Sequence, residues 1–190
     1  MQKFKIDTIE SAPEKSKPSL QVLKQNIGLI PNLSAMIAES PTLMNSFLGA
    51  FVNFHGGTIG AGERQVLLLT NAVTNSSAWA VAFHSTMAIN EGVDADSVGA
   101  IRSGELPKDQ KLAALSQLTR ALIEKRGHLD EVSLGQFMSA GFSQAQIFEV
   151  IAGLAVSVMA NYAGNIGNPP LEDAFKKQRW EDQSHFNSRS

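Results

Sequence analysis

Apolar residues recur along this chain at helical spacing, and no segment alternates apolar and polar positions as a strand does. Ser19 to Ile27 predicts a short helix stopped by Gly28, with Pro13 and Pro18 breaking any helix before it. Leu33, Met36 and Ile37 fall at helical spacing. Ser40 and Pro41 then form an N-cap and first-turn pair. The helix they open carries Leu43, Met44, Phe47, Leu48, Phe51 and Phe54 along one face and ends at Gly56-Gly57. Glu63 starts the next helix, since a carboxylate is favoured near a helix's positive end. Asn71 to Ser76 is rich in Asn, Thr and Ser, so a break is expected near Asn75-Ser76 before Trp79 to Asn90 resumes helix as far as Gly92. Asp94 caps a short helix ending near Ser103-Gly104. Pro107 opens a longer one, marked by Leu112, Leu115, Leu118 and Leu122 and closed by Gly127. Asp130 to Ala140 follows, and Ser143 with Gln146 is a capping box opening the apolar stretch Ile147 to Ala160. The pattern predicts an all-α, single-domain helical bundle over residues 18–175. Residues 1–17 are read as an N-terminal arm and 176–190 as a C-terminal tail.

Composition narrows the classes of function. With 190 residues and 43% hydrophobic positions the chain can bury one sizeable core, and a formal charge of -2 gives no basic face for nucleic acid. Lys176-Lys177-Gln178-Arg179 is the densest basic stretch and reads as part of a solvated tail. The N-terminus is polar, without an apolar signal core, and no apolar run in the sequence approaches the length of a membrane span. No membrane partner is therefore expected. There is no cysteine, which excludes disulfides and thiolate metal ligands and agrees with a cytoplasmic protein.

Three segments, in order, resemble the alkylhydroperoxidase D-like and carboxymuconolactone decarboxylase superfamily, in its peroxidase-related branch. They are GLIPNLSAMIAESP (28–41), GERQVLLLTNAVTNSSAWAVAFHS (62–85) and NYAGNIGNPPLEDAF (161–175), spanning most of the chain. The resemblance implies a helical bundle and a symmetric homo-oligomer. It also implies a redox site made of a glutamate on one helix, Cys-x-x-Cys at the start of the next, and a histidine four residues after the second cysteine. The histidine position is His84, the glutamate position is Gln65 with Glu63 two residues earlier, and the cysteine positions are Ser77 and Ala80, with Trp79 between them.

A thiol near a helix N-terminus has a lowered pKa, and a second thiol one turn on can close a disulfide. Ser77, Ala80 and Gln65 supply none of this, so thiol peroxidase activity is expected to be absent. A Ser77–His84 dyad is not expected either: seven residues along one helix is about 10 Å at roughly 1.5 Å per residue, whereas a hydrogen bond needs roughly 3 Å. Ser77 reads instead as a helix N-cap. His84 and Glu63 are the candidate catalytic residues, with Gln65 or Glu63 across the helix pair, or a residue of another subunit, the candidate partners of His84. Trp79 and His55 are candidate pocket residues, although His55 sits at a helix C-terminus, where a charged histidine is favoured. Asn161, Tyr162, Asn165 and Asn168 are read as closing the end of the last helix. No metal-site spacing links His55, His84, His128 and His185, and neither a metal nor a cofactor is expected.

Two functions follow. One is a cysteine-independent enzyme using His84 as general acid or base on a small carboxylated or lactone substrate, as the decarboxylase branch implies. The other is a catalytically degenerate binding or assembly module. A chain with deliberately replaced cysteines is disfavoured, because Gln65 would be a further deliberate change. Homo-oligomerisation is also expected from the Phe47, Phe51, Phe54 face and from the apolar stretch Ile147 to Ala160.

Overall fold

The computed structural model describes residues 4–181. It is helical throughout, with no strand among the described residues. In chain order the helices are α1 (Lys17–Ile27), α2 (Asn32–Ile37), α3 (Pro41–His55), α4 (Ala61–Thr74) and α5 (Ala78–Asn90). They continue as α6 (Ala95–Arg102), α7 (Gln110–Glu124), α8 (Glu131–Ser139) and α9 (Gln144–Gly167), with short 3-10 turns at Glu14–Ser16 and Asp173–Gln178. Helix α4 is the axis of the bundle. It packs on α5, α6, α7 and α9, and every residue from Gln65 to Ala72 is buried.

Capping sets most helix boundaries. The side chains of Ser40, Asp94, Asp130 and Ser143 each accept from the backbone N–H three residues on, and Gln146 returns a bond to Ser143. Gly28 closes α1 at φ 84°, in the left-handed region. The break between α4 and α5 falls at Asn75-Ser76, with Ser76 at φ 51°.

Several boundaries differ from the sequence reading. Pro18 sits inside the first turn of α1, where its missing N–H costs nothing, so α1 begins at Lys17. Helix α4 starts at Ala61, and Glu63 accepts from the Gly60 N–H at 3.0 Å. Asp109, not Pro107, caps α7 by accepting from the Leu112 N–H at 2.9 Å.

Helix α9 runs 24 residues, past Ala160 to Gly167, and averages a hydropathy of 1.5 over its most apolar 18 residues. By length and composition it is long enough to cross a membrane, against the expectation that nothing in the chain is. Here it packs along α3, α4 and α5 as a bundle helix.

Both ends of the described stretch dock. The Asp7 N–H donates to the Ala35 carbonyl at 3.2 Å, the Ser16 hydroxyl donates to the Ala38 carbonyl at 2.7 Å, and Ala12 is buried. At the other end, the Arg102 guanidinium donates to the carbonyls of Gln178 and Arg179, both at 2.9 Å. The Trp180 indole N–H returns a bond to the Arg102 carbonyl at 3.0 Å. The stretch read as a solvated tail is thus held as far as Trp180, with Lys176 and Lys177 exposed on its outer side.

The Phe47, Phe51, Phe54 face turns inward, with Phe47 and Phe54 buried within the single chain. What stays exposed is a stripe on α9: Phe148, Ile151, Tyr162 and Ile166. On its inner side α9 needs a glycine. A Cβ at Gly153 would lie 2.8 Å from Leu67 and 2.9 Å from the Phe54 ring. Gly153→Ala should therefore destabilise the fold by about 1–3 kcal/mol through overpacking, read as a lowered denaturant midpoint. An unchanged midpoint would show that α9 and α3 separate freely here.

Candidate functional site

Gln65 lies in the second turn of α4 and is buried against α5. That places its amide beside the ring of His84, two turns into α5. His84 Nδ1 and Gln65 Oε1 are 3.0 Å apart. An amide oxygen only accepts, so this contact puts the imidazole proton on Nδ1 and leaves Nε2 as a lone pair. Burial, with a smaller contribution from nearby His55, lowers the His84 pKa from 6.5 to about 3. A carboxylate at position 65 would oppose that shift. The neutral amide does not.

A cavity of about 250 Å³ opens beside this pair. Phe47 and Phe51 of α3 form one wall, Trp79, Phe83 and Met87 of α5 another, and Val156, Ser157 and Ala160 of α9 a third. Exposed Asn26 and Glu91 stand among the lining residues and mark its mouth. The Trp79 ring stacks on Phe83 with centroids 5.1 Å apart, and its indole N–H donates to Glu172 at 3.0 Å. The same carboxylate accepts from the Asn32 N–H at 2.5 Å, tying α2, α5 and the closing segment together around the indole. Among the described residues the cavity wall contains no lysine or arginine.

His55 lines the same cavity. Its Nδ1 is 2.9 Å from the Phe51 carbonyl, so Nδ1–H donates to it and Nε2 is again the lone-pair nitrogen. Its ring lies 3.9 Å, centroid to centroid, from that of Phe51. Burial lowers its pKa first of all and Arg64 adds to this, while the Phe51 carbonyl and Glu91 pull the other way. The charged form expected at a helix C-terminus is thus disfavoured, because desolvation outweighs the helix field.

The structure brings together His84, Gln65, Trp79 and His55, and places the remaining sequence candidates elsewhere. Glu63 accepts from Gly60 and pairs with Lys111 at 2.6 Å, away from the cavity. Ser77 holds the N-cap position of α5, but its buried side chain makes no capping bond. It sits close to Gly164 of α9 instead. Ala80 is buried and does not line the cavity.

The asparagines near the end of α9 act mainly as cross-links. Asn161 donates to Asn71 Oδ1 at 2.9 Å, Asn165 donates to the Asn75 carbonyl at 2.9 Å, and only Asn168 closes the helix, at φ 45°. Tyr162 is exposed. His128 is exposed beyond α7, and His185 lies outside the described residues.

Two parts of the site are missing from the sequence reading. Phe47 and Phe51 precede the pocket candidate His55 at four-residue spacing, a one-face pattern that could have flagged them as the α3 wall. Ser157 carried no signal. It is buried in mid-helix, and its hydroxyl has no hydrogen-bond partner among the described residues.

With its pKa lowered, His84 should stay neutral and Nδ1-protonated from about pH 8 to about pH 5, read by imidazole NMR. In the unfolded chain His84 titrates near 6.5, so between there and the folded value the unfolded state binds the extra proton. Its contribution to stability is full above 6.5 and is lost as pH falls toward the folded pKa. Gln65→Glu should raise the His84 pKa and reduce that acid loss. An imidazole that titrates near 6.5 in the native chain would overturn the neutral-site assignment.

No protein-family profile matches the chain, and no curated protein matches it in sequence. Solved structures do match. One is the alkylhydroperoxidase AhpD core of an uncharacterized peroxidase-related protein from Ralstonia eutropha JMP134, with TM-score 0.79 and 14% identity over 91% of this chain and 93% of that one. A peroxidase-related protein from Silicibacter sp. TM1040 matches with TM-score 0.77 and 13% identity over 93% of this chain and 94% of that one. The debrominase Bmp8 matches with TM-score 0.72 and 17% identity over 87% of this chain and 90% of that one. The chain therefore has the all-α fold of the alkylhydroperoxidase core and the peroxidase-related proteins, built here without a cysteine.

Proposed function

We propose that this chain is a cysteine-free binding member of the alkylhydroperoxidase D-like group, which holds a small uncharged molecule in the cavity beside His84. The observation that carries the reading is the Gln65–His84 pair at 3.0 Å. A general acid or base works best with a pKa near the working pH, and an imidazole held near 3 is a weak proton acceptor and no proton donor at neutrality. The same ring remains a good hydrogen-bond acceptor. This weighs against His84 as the acid or base of a decarboxylase-like reaction. A carboxylated substrate is disfavoured too, since the wall supplies no cation among the described residues and the carboxylate of Glu91 stands at the mouth.

Size supports a small ligand. A dry cavity of about 150 Å³ takes up benzene, so about 250 Å³ suits one substituted ring. On the same fold, a cysteine-to-alanine variant of the debrominase Bmp8 has been crystallised in complex with 2,3,4-tribromopyrrole, itself a single substituted ring.

A second copy of the chain is the partner we propose for the exposed α9 stripe. From Phe148 to Ile166 the helix carries one charged side chain, Glu149, and that carboxylate is occupied by the N–H groups of Thr58 and Ile59 and by the Thr58 hydroxyl. The stripe extends about 27 Å at roughly 1.5 Å per residue.

Three outcomes test these readings. The purified chain should consume no hydroperoxide with a dithiol donor beyond the buffer blank, and robust turnover would refute the role given to the missing thiols. Toluene should raise the melting temperature, because a ligand that binds only the folded state stabilises it by mass action; no shift with toluene or with any phenol would sink the binding reading. Light scattering should give at least a dimer, and Phe148→Glu with Ile166→Glu should reduce it to a monomer. A native monomer would remove the proposed partner.

A further inference from the structure

We infer that the cavity selects a single-ring aromatic ligand carrying a neutral O–H or N–H donor, the class of phenols and pyrroles, and that His84 Nε2 receives that donor. The inference rests on the binding reading above and adds the chemistry of the ligand.

Three features of the wall converge on this class. First, its two histidines are acceptors. The Nδ1 protons of His84 and His55 are committed to Gln65 Oε1 and the Phe51 carbonyl, so both rings keep an Nε2 lone pair without a protein donor among the described residues. Each lone pair is open to the cavity, where the hydrogen of a ligand can take the place of water. Second, the rest of the wall is aromatic: Phe47 and Phe51 face the stacked Trp79 and Phe83. Such faces favour a flat ring over a chain. Third, the donor must be uncharged. A carboxylate would meet the two Nε2 lone pairs with no cation in the wall, and a desolvated ammonium would have its one counter-charge in the wall, Glu91, out at the exposed mouth.

Ser157 lines the cavity without giving it a polar contact. A serine inside a helix commonly donates to the carbonyl four residues back. Ser157 does not, and its buried hydroxyl has no partner although the residue lines the cavity. Its Oγ is closed off from the cavity, so a ring seated on His84 does not meet it.

The probes are 4-fluorophenol, 4-fluorotoluene and 4-fluorobenzoate, followed by ¹⁹F NMR titration of the full chain at neutral pH. The phenol should bind about tenfold tighter than the toluene, the increment of one net hydrogen bond, and the benzoate weakest of the three. In His84→Phe, which keeps an aromatic ring and removes the acceptor, the phenol should lose its advantage while the toluene stays bound. In Ser157→Ala both should still bind and the phenol preference should persist, because His84 carries it. Equal binding of phenol and toluene to the native chain, or tightest binding of the benzoate, would overturn this inference and leave the binding reading standing. Binding of none of the three would overturn both. Unchanged phenol preference in His84→Phe, with native-like circular dichroism, would move the acceptor role away from His84.

Discussion

The burial of α4 on every side is the constraint from which both architecture and site follow. Eight consecutive residues, Gln65 to Ala72, are enclosed by neighbouring helices, yet three of them are polar. A buried polar group without a partner costs about 1–3 kcal/mol, so each must find one inside the bundle. Thr70 pairs with Ser116 of α7 at 2.9 Å, Asn71 Oδ1 accepts from Asn75 and from Asn161 of α9 while its Nδ2 is left without a partner among the described residues, and Gln65 takes His84 of α5. Three neighbouring helices are registered against α4 by these contacts. The pairing that defines the cavity is one instance of the rule that assembles the bundle.

The difference between this site and a redox site is electrical as much as chemical. A carboxylate at position 65 would hold a positive imidazole across the helix pair and give the cavity a proton to move. An amide in the same place accepts the same hydrogen bond without charge. Desolvation then decides, and the imidazole stays neutral. With Ala80 and Ser77 withdrawn from the wall, what remains is an aromatic enclosure bearing two lone pairs.

Much of the fold was legible in the sequence, because capping side chains and apolar periodicity are local signals. Ser40, Asp94 and Ser143 cap where their spacing says they should. The site was legible only in part. Its aligned positions were visible, and Gln65 was named among the partners of His84. Periodicity cannot tell an inward face lining a cavity from one awaiting another subunit, and so Phe47, Phe51 and Phe54 were assigned outward. The docked ends were hidden for a related reason. They are held by backbone carbonyls accepting from Ser16, Arg102 and the Asp7 amide, and a carbonyl leaves no mark in a sequence. Ser157 escaped notice because one serine in an apolar helix looks like any other small residue.

The chain has two tryptophans, and the fold has separated their duties. Trp79 is stacked in the cavity wall, while Trp180 sits at the docked C-terminal stretch, bonded to the Arg102 carbonyl. Intrinsic emission therefore divides into one component from the cavity and one from the closure of the chain's end. A Trp180→Phe variant would silence the second and leave a protein that reports optically on the occupancy of its own cavity, with no label attached.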